Sequence, residues 1–524
     1  MTDRAMSAPS IGLGATGGRN LSAVFAALKF WPLATITLLA IAAQIHWGVN
    51  TDTSWNITLA EKVLDGLRPD VDFIEINPPL SFLLYLPPTL AARLTGATPE
   101  FMVDLACFVG AGLSLWLAGA VLAAASLLTK AAGERLAVAA AAPLLLLPAR
   151  AFDEREHIAL MACLPCLAAI AVWSARGRVA PLFSILAGLA AGLALSIKPH
   201  FALFLLPPLV YLASRAGWRA LFVRLEPYVA MAVVGLYWVA IAVWLPAFFE
   251  LVAPIVQDIY LPVRMPLATL LHDPTSILWI VLGVLLACAG RRRLSEPLIA
   301  VPALSSIGAM AAYLIQGKLW PYQGYPIAAL LALALGPLVL ENLATLRQSR
   351  YPLARVAVAV AFAAAMGIAG FWLSLDFDRS ELERVVSGIS PHPTLLAISP
   401  NIGTGHPLVR RVHGVWVGST FGLWITHMSL RALAQNPSEA EARKYEGYLR
   451  LDRQMLVADI VENKPDAILI AGAPWLAWAR SQADVAAALA PYRLRATADD
   501  VMVFTREDAA PQAPDTSPDR GASP

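Results

Sequence analysis

Charged residues are concentrated in one short stretch, ARAFDEREHIAL, which covers positions 149–160 and has long apolar segments on both sides. It contains Asp153, Glu154, Arg155, Glu156 and His157 in succession. Carboxylates close to hydrocarbon are unfavourable unless they are paired, hydrated or bound to a cation. Two interpretations are open. The acids and His157 bind a divalent metal ion, or Arg155 neutralises its neighbours in an internal ion-pair network.

A further acid, Asp52, directly follows the first apolar segment, in the stretch GVNTDTSWNITLAEKVLDG. The sequence predicts a helix from about Ser54 to Leu64, with Asp52, Thr53 or Ser54 as its N-cap and Gly66 after its end. An acid between a membrane helix and a capped surface helix is held rigidly, which suits a catalytic base. Capping of the surface helix is the alternative role for this side chain.

The later loops carry isolated cations instead of acids. Lys198 and His200 flank a proline in SIKPHF, and Lys318 stands among aromatic residues that include Tyr322 in GKLWPYQGYP. Arg264 lies in the amphipathic segment PIVQDIYLPVRMPL. A cation with aromatic neighbours suits a phosphate group beside a sugar or a lipid, and snorkelling lysines and interfacial aromatic belts are the alternatives. Acids suit an attacking hydroxyl group or a metal, whereas cations suit a departing phosphate.

Long apolar helices have to position these residues. Of the 524 residues, 58% are hydrophobic and 15% are charged, whereas about 25% are charged in a soluble domain. The sequence predicts an all-α polytopic membrane protein with about eleven transmembrane helices. The predicted spans are roughly 29–47, 101–129, 136–148, 158–174, 181–197, 200–214, 227–247, 275–290, 297–315, 325–340 and 356–374. The apolar segment 78–96 has a proline pair near each end and predicts an interfacial or re-entrant helix.

The distribution of positive charge predicts the orientation. If the N-terminus is cytoplasmic, the short inward loops receive most of the lysine and arginine residues, including the run 291–293, as the positive-inside rule requires. A full crossing at 78–96 would destroy this asymmetry. The acids and cations described above then all lie on the extracytoplasmic face. The net charge of +2 gives no information about nucleic acid, but the chain has no basic tract of the kind that binds it, so no nucleic-acid partner is expected.

The region after the last span has a more ordinary composition. The segments TLLAIS, DAILIAG and DVMVFTR predict buried strands that alternate with helices, which indicates a small C-terminal α/β extracytoplasmic domain. The tail after about residue 507 is rich in proline, alanine and serine and is predicted to be disordered. The predicted domains are a flexible cytoplasmic N-terminus (1–28), a transmembrane catalytic domain (29–375), a periplasmic α/β domain (376–506) and the tail (507–524).

Four stretches of this chain resemble motifs of the GT-C glycosyltransferases, which are multi-span enzymes that use lipid-phosphate sugars outside the membrane. The bacterial aminoarabinose and arabinofuranosyl transferases and the protein O-mannosyltransferases are of this kind. TDTSWNITLAEKVLDG is similar to the first loop, DFIEINPPL to a proline-pair stretch, REHIALM to the R-E-H of a bacterial branch, and GKLWPYQGYP to a later aromatic loop. At the start of the first loop this chain has D-T-S-W, with a single acid at Asp52, where the family commonly has D-D or D-E.

The resemblance implies an inverting transfer in which Asp52 is the general base, assisted by Glu154 or Glu156. The residues expected to bind substrate are Glu75, Arg155, His157, Lys198, His200, Arg264, Lys318 and Tyr322. A divalent cation (Mg²⁺, Mn²⁺ or Ca²⁺) is an expected cofactor, with Asp52, Glu156 and His157 as its ligands. The implied partners are a polyprenyl-phosphate sugar donor, a glycan, lipid or protein acceptor, and the lipid of a bacterial inner membrane.

Two other classes of function are open. A polytopic transporter or lipid flippase would normally have ionisable groups or broken helices in mid-membrane, whereas Asp104 is the one ionised residue inside the predicted spans and lies near an end. A ligase or polymerase of surface polysaccharide would share the outward site but would use a lipid-diphosphate glycan as its donor.

Overall fold

The structure, a computed structural model, describes residues 17–125, 130–376 and 379–506. The first helix begins at Gly17, so that residues 17–28 of the predicted flexible N-terminus are helical. Residues 1–16 of that segment, and the predicted tail 507–524, lie outside the described residues.

The first three-quarters of the chain are helical. The helices are α1 (Gly17–Trp47), α2 (Thr51–Leu64), α3 (Leu80–Leu83), α4 (Leu86–Thr95), α5 (Pro99–Ala124), α6 (Lys130–Leu145), α7 (Arg155–Ser174), α8 (Pro181–Ile197), α9 (Ala202–Ala216), α10 (Arg219–Phe222), α11 (Leu225–Trp244), α12 (Ala253–Ile255), α13 (Leu267–Leu271), α14 (Pro274–Gly290), α15 (Pro297–Gln316), α16 (Tyr325–Ala344) and α17 (Pro352–Ser374). Two π-helical turns, Phe248–Val252 and Val256–Tyr260, flank α12.

The chain is a multi-pass membrane protein. In the described part, α5, α7, α11, α15, α16 with its preceding turn, and α17 are long and apolar enough to cross a membrane. The C-terminal part of α1 and α2 form a pair bent by 77°, which makes seven if the pair is one span. Each predicted span overlaps a helix, but the predicted number of about eleven crossings is not confirmed. Helices α6, α8, α9 and α14 have 15–17 residues, fewer than the roughly 20 of a typical span.

The segment 78–96, predicted as one interfacial or re-entrant helix, forms the two short helices α3 and α4. The proline pairs cause this division, because Pro79 directly precedes α3 and a second pair lies in the first turn of α4. Helix α4 ends at Gly96, whose φ of +75° is in the left-handed region that favours glycine. Neither helix has the length of a membrane span.

Asn50 caps the helix that carries Asp52, in place of the predicted Asp52, Thr53 or Ser54. The Oδ1 atom of Asn50 accepts a hydrogen bond from the backbone N–H of Thr53 at 2.9 Å. Its Nδ2 atom donates to the carbonyl oxygen of Arg150 at 2.7 Å. This bond ties the start of α2, in the first loop predicted to face outward (48–100), to the second such loop (149–157). Asparagine is as strong an N-cap as aspartate or serine, and the helix therefore begins earlier than predicted.

The C-terminal region contains a sheet and helices. Its elements are α18 (Ser380–Ser387), β1 (Thr394–Ile398), α19 (Leu408–Arg411), β2 (Val415–Trp416), α20 (Trp424–Leu433), α21 (Glu439–Asn463), β3 (Ala467–Ala471), α22 (Gly472–Ser481), α23 (Ala483–Leu489), β4 (Tyr492–Ala498) and β5 (Val501–Arg506).

The five strands form one sheet in the order β2-β1-β3-β5-β4. Strand β1 pairs in parallel with β2 and β3, whereas β5 pairs antiparallel with β3 and β4. The predicted strands are β1, β3 and β5, which are mostly buried and apolar. Strand β4 was not predicted because its middle residues are polar and largely exposed, as is usual for an edge strand.

This sheet packs directly on the first outward loop. One apolar cluster contains Trp55, Leu59 and Phe73 from that loop together with Leu395 and Leu469 from β1 and β3. All five side chains are nearly or fully buried. The first loop and the C-terminal region therefore share one hydrophobic core.

Polar contacts reinforce this packing close to Asp52. The Ser54 Oγ atom lies 2.9 Å from Nδ1 of His406, and Arg410 Nη1 donates to Oε1 of Glu61 at 2.7 Å. The side chain of His406 is fully buried. Ser54 and Glu61 are two turns apart on one face of α2, so the C-terminal region holds the helix that carries Asp52 along this face.

Candidate active site

The first two outward loops meet at an ion pair. Asp52 lies in the first turn of α2, and Arg155 is the first residue of α7. The Nη2 atom of Arg155 donates to Oδ2 of Asp52 at 2.7 Å, although 103 positions separate the two residues. Since Asn50 caps α2, the side chain of Asp52 is engaged with Arg155 and not with the end of its own helix. Its rigid position comes from this pair.

Asp52 is the member of the cluster that a substrate can reach. Its side chain is 18% exposed, whereas those of Arg155, Glu154 and Glu156 are 1–4% exposed. Arg155 engages Oδ2 of Asp52, and the described hydrogen bonds leave Oδ1 without a partner. A hydroxyl group that approaches the cluster therefore meets Oδ1 of Asp52 before it meets any other carboxylate.

A second ion pair lies deeper. The Nζ atom of Lys198, the residue that follows α8, donates to Oε1 of Glu156 at 2.7 Å. Their side chains are 7% and 1% exposed. The sequence-based expectation was that Lys198 faces a donor phosphate and Glu156 a metal ion. In the structure they neutralise each other, because two opposite charges this far from water have to pair.

In the remaining acids of the stretch, Asp153 and Glu154, burial disfavours the charged form. Burial, and then the negative charge of Asp52, raise the pKa of Glu154 well above its ordinary value. Burial also raises the pKa of Asp153, whose Oδ1 accepts a hydrogen bond from Thr53 Oγ1 at 3.2 Å. The cluster therefore contains two close ion pairs, a longer contact of 3.9 Å between Nε of Arg155 and Oε2 of Glu154, and the buried carboxyl group of Asp153. This is the ion-pair network that the sequence left open as the alternative to a metal site.

His157 lies outside the cluster. Its fully buried ring packs between Phe152 and Tyr325, with centroid separations of 4.9 Å and 5.3 Å, and its Nε2 donates to the carbonyl oxygen of Leu144 at 2.8 Å. The predicted roles in metal and substrate binding do not fit this position. Adjacent residues on a helix point in different directions, so His157 and Glu156 cannot share a ligand.

The predicted metal ligands Asp52, Glu156 and His157 are therefore not brought together. Asp52 and Glu156 each bind a cationic side chain, and His157 binds a backbone carbonyl group. Within residues 17–125, 130–376 and 379–506, no group of three or more histidine, cysteine, aspartate or glutamate residues has the arrangement of a metal site. The described donor set does not fit the predicted divalent cation.

Glu75 organises the first loop. Its carboxylate accepts hydrogen bonds from Nε1 of Trp55 at 2.6 Å and from the backbone N–H of Asn77 at 3.0 Å, and its side chain is 2% exposed. It therefore joins α2 to the segment before the proline pair. The resemblance implies that Glu75 binds substrate. Its buried contacts instead indicate a positioning role.

Lys318 holds a neighbouring loop. Its Nζ atom donates to the carbonyl oxygens of Tyr260 at 2.6 Å and Val263 at 2.5 Å, and lies 4.0 Å from the centroid of the Tyr260 ring. Burial, and then the charge of Arg264, lower the pKa of Lys318 to about 8. An ammonium group has three N–H donors, so one remains for a ligand.

The other predicted binding residues are divided between the site and the surface. Tyr322 belongs to the site, because its ring centroid is 6.0 Å from Nζ of Lys198 and it interacts electrostatically with Asp52. His200 packs its ring against Phe201 at 4.7 Å, next to the Lys198 pair. Arg264 is exposed and donates to the carbonyl group of Leu261 at 3.3 Å. The described contacts of Arg264 do not reach the two ion pairs.

Tyr260 is a site residue that the sequence did not indicate. It interacts electrostatically with Arg155, Asp52 and Glu75, and its ring centroid lies 4.0 Å from Nζ of Lys318. It occurs in the outward amphipathic segment that the sequence singled out because of Arg264. Little in the sequence indicated that Tyr260 belongs to a site, since a single tyrosine at a membrane interface usually belongs to an aromatic belt.

The arrangement of helices and sheet matches that of a solved protein. The crystal structure of ArnT from Cupriavidus metallidurans in the apo state superposes on this chain with a TM-score of 0.55 at 13% sequence identity. The matched region covers 93% of this chain and 100% of the ArnT chain. ArnT is an aminoarabinose transferase with the GT-C fold. This chain has the GT-C fold. No protein-family model and no curated protein matches the chain.

The GT-C fold predicted from four short motifs is therefore present across the chain. At 13% identity the likeness establishes the architecture, and the chemistry has to be argued from the residues themselves. In this GT-C fold the first and second outward loops contribute the Asp52–Arg155 pair, and the C-terminal sheet covers α2.

One buried acid of the first loop predicts a pH-dependent stability. Burial, and then the charge of Glu75, raise the pKa of Asp70 to about 7, and its side chain is 2% exposed. In the unfolded chain the pKa is about 3.9. Between these pH values the folded state holds the proton that the unfolded state releases, so stability falls as the pH rises through that window. Asp70→Asn is expected to stabilise the protein at pH 8 by about 1–3 kcal/mol and to have little effect at pH 4.

Thermal unfolding of the purified protein across this pH range measures the difference. Asp72→Asn is the matched control, because hydrogen bonds from Arg68 lower the pKa of this exposed acid. Its replacement should therefore not stabilise the protein at pH 8. An equal effect of Asp70→Asn at both pH values would contradict the assignment.

Proposed function

We propose that this protein is an inverting glycosyltransferase that moves a sugar from a polyprenyl-phosphate donor to a hydroxyl group of a glycan, lipid or protein acceptor. The reaction takes place on the extracytoplasmic face of a bacterial inner membrane, with the N-terminus in the cytoplasm. The observation that carries the proposal is the Asp52–Arg155 pair, in which a partly exposed carboxylate and a buried cation stand 2.7 Å apart. Its base and its cation are the two groups that such a transfer requires.

Asp52 acts as the general base in this proposal. The acceptor oxygen attacks the anomeric carbon of the donor while Oδ1 of Asp52 takes the hydroxyl proton. The bond between the anomeric carbon and the phosphate oxygen breaks, and the electron pair leaves with polyprenyl phosphate. A single displacement inverts the anomeric configuration, and no covalent enzyme intermediate is needed.

Arg155 has two roles in sequence. Before the donor binds, its guanidinium group occupies Oδ2 of Asp52 and balances the charge of that carboxylate. When the donor phosphate approaches, the guanidinium group has further N–H donors to offer it. A phosphate that draws Arg155 away from Asp52 frees the carboxylate to contact the acceptor hydroxyl group. The same contact stabilises the negative charge of the departing phosphate.

The other cations support this pair. Lys198 neutralises Glu156, so that Arg155 does not have to balance a second ionised carboxylate. Lys318 fixes the Tyr260 loop through two carbonyl groups and keeps one N–H for the donor phosphate. The described acids do not form a three-ligand set, and the proposed steps are those of the side chains alone.

The direct test is to incubate the purified full-length protein with polyprenyl-phosphate hexoses and pentoses, each with hydroxyl acceptors and with or without EDTA. Release of polyprenyl phosphate is measured. We expect one donor to be consumed at the same rate with and without the chelator. Consumption of a lipid-diphosphate glycan instead would identify a ligase or polymerase, and consumption of no donor would contradict the proposal.

Lys318→Ala is expected to weaken donor binding by about 10-fold, because a charge-assisted hydrogen bond to phosphate is lost and the Tyr260 loop is released. Asp52→Asn should leave donor affinity close to that of the wild type. Titration of a non-hydrolysable polyprenyl-phosphate sugar against both variants gives the donor affinities to be compared. Arg443→Ala, which removes an exposed cation of α21, is the control and should bind like the wild type. Equal affinities of Lys318→Ala and the control would remove Lys318 from the donor site.

A further inference from the structure

The C-terminal domain contains a second concave site that has no part in the proposed reaction. A crevice of about 520 Å³ lies at the carboxyl ends of the parallel strands β1 and β3, where Asn401 follows β1 and Gly472 begins the helix after β3. Ligand pockets typically have about 300–1,000 Å³. In open α/β sheets, ligands bind at the carboxyl ends of the parallel strands. Both its size and its place in the sheet are those of a binding site.

An aromatic ring forms one wall. Trp475, in the first turn of α22, lines the crevice and is half-buried. Its ring is held by Trp478, with centroids 5.7 Å apart, and by His427 at 6.3 Å. Because these neighbours restrict its rotation, the ring presents a fixed apolar surface to the crevice.

Hydrogen-bonding groups line the rest of the crevice. Asp499 and Asp500 form the tight turn between β4 and β5, and both have the positive φ values of a hairpin turn, 48° and 62°. Oδ2 of Asp499 accepts from the backbone N–H of Leu382, and the exposed carboxylate of Asp500 remains open to a ligand. Oδ1 of Asn401 accepts from Gly403, which leaves its amide N–H₂ group as a donor.

We propose that this crevice binds a neutral saccharide. A sugar ring has an apolar C–H face that packs on an aromatic ring, and hydroxyl groups that donate to carboxylates and accept from amides. Trp475, Asp500 and Asn401 offer these three complements around one cavity. Two adjacent carboxylates, with Arg379 as the cation in the lining, disfavour an anionic ligand.

The crevice is separate from the Asp52 cluster but lies on the same side of the protein. Arg379 lines both the crevice and a small cavity that Thr51 borders, and Thr51 precedes Asp52 in the chain. A saccharide held in the crevice is therefore close to the site of the proposed transfer. Binding there does not require that transfer, so the two proposals can fail independently.

Saturation-transfer NMR on the full-length protein tests the proposal. The probes are maltotetraose, mannotetraose and galactotetraose, with tetragalacturonate as their anionic counterpart. We expect at least one neutral tetrasaccharide to bind. Trp475→Ala should lower the affinity for that tetrasaccharide by about 10-fold or more, and Asp500→Asn should lower it by about 10-fold. Trp475→Phe, which keeps an aromatic ring, should retain most of the affinity.

Two control variants show whether a loss of saccharide binding is specific to this crevice. Trp218→Ala removes a tryptophan that is 65% exposed on a predicted inward loop and should bind like the wild type. Asp52→Asn should also bind the tetrasaccharide normally, whatever its effect on transfer. The proposal is overturned if no neutral tetrasaccharide binds, if tetragalacturonate binds better, or if Trp475→Ala unfolds at the wild-type temperature and binds as tightly as the wild type.

Discussion

Replacing Asp52 with asparagine is expected to lower the rate of sugar transfer by about 10²- to 10⁴-fold, the usual contribution of a positioned general base. Asparagine has nearly the shape of aspartate, and its Oδ1 can still accept the hydrogen bond from Arg155. It cannot take a proton from the acceptor hydroxyl. The measurement is the release of polyprenyl phosphate from the donor by purified wild type and variant, each checked by its unfolding temperature.

Asp65→Asn is the matched control for this variant. Asp65 follows the last turn of the same helix, is 56% exposed and pairs with Arg93 at the surface. Its replacement should leave transfer unchanged, because it changes one charge on α2 without touching the site. Wild-type turnover in Asp52→Asn would remove the proposed base and, with it, the proposed mechanism.

Lys198→Met is expected to destabilise the folded protein by about 3–5 kcal/mol, because it leaves the carboxylate of Glu156 buried without a partner. The double variant Lys198→Met/Glu156→Gln should recover a large part of this loss, since no unpaired charge remains. Thermal unfolding of the wild type, both single variants and the double variant gives the coupling energy of the pair.

The control is a comparable ion pair at the surface. Lys444 is 48% exposed and pairs with Asp258, so Lys444→Met should change stability by less than about 1 kcal/mol. If Lys198→Met were as mild as this control, or if the double variant were no more stable than Lys198→Met, then Lys198 and Glu156 would not depend on each other. Lys198 would then be available to a donor phosphate, as the sequence first suggested.

The features that follow from local composition were predictable. Apolar runs placed a helix at every predicted span, and three apolar strands of the C-terminal sheet followed from their short buried pattern. The number of crossings did not follow in the same way, because helices such as α6 and α9 are apolar but short. Hydropathy locates a helix, whereas its length relative to the membrane depends on where it begins and ends.

The cluster of acids and cations was visible in the sequence, but its pairing was not. Spacing alone could not show that Arg155 would contact Asp52 across 103 positions, or that Lys198 would form an ion pair with Glu156. His157 looked like a ligand because it follows two acids, and it turned away because consecutive helical residues face different directions. These outcomes depend on tertiary packing, which a single sequence does not display.

The support of α2 by the C-terminal region was also beyond the sequence. The pairing of His406 with Ser54 joins residues 352 positions apart, and His406 belongs to none of the four motifs that the sequence singled out. Asn50 could have been found, since asparagine is a strong N-cap and directly precedes the helix. The prediction chose Asp52, Thr53 or Ser54 as the N-cap instead of Asn50.

The ion pairs bear on the choice between an enzyme and a transporter. Both pairs lie at one end of the helices, where α2 meets the start of α7 and the end of α8. A transporter normally has its ionisable groups near the middle of the membrane, on helices that are broken there. The described location favours chemistry at the membrane surface over passage through it.

The central claim is that this protein transfers the sugar of a lipid-phosphate donor on the outer face of the membrane. The most direct measurement follows the labelled sugar of a polyprenyl-phosphate donor supplied, with a hydroxyl acceptor, to sealed vesicles that contain the purified protein. We predict that the label enters a glycosidic product of inverted configuration outside the vesicles, with one polyprenyl phosphate released for each sugar transferred. Label that crosses the membrane while still attached to its lipid, with no glycosidic product, would contradict the account.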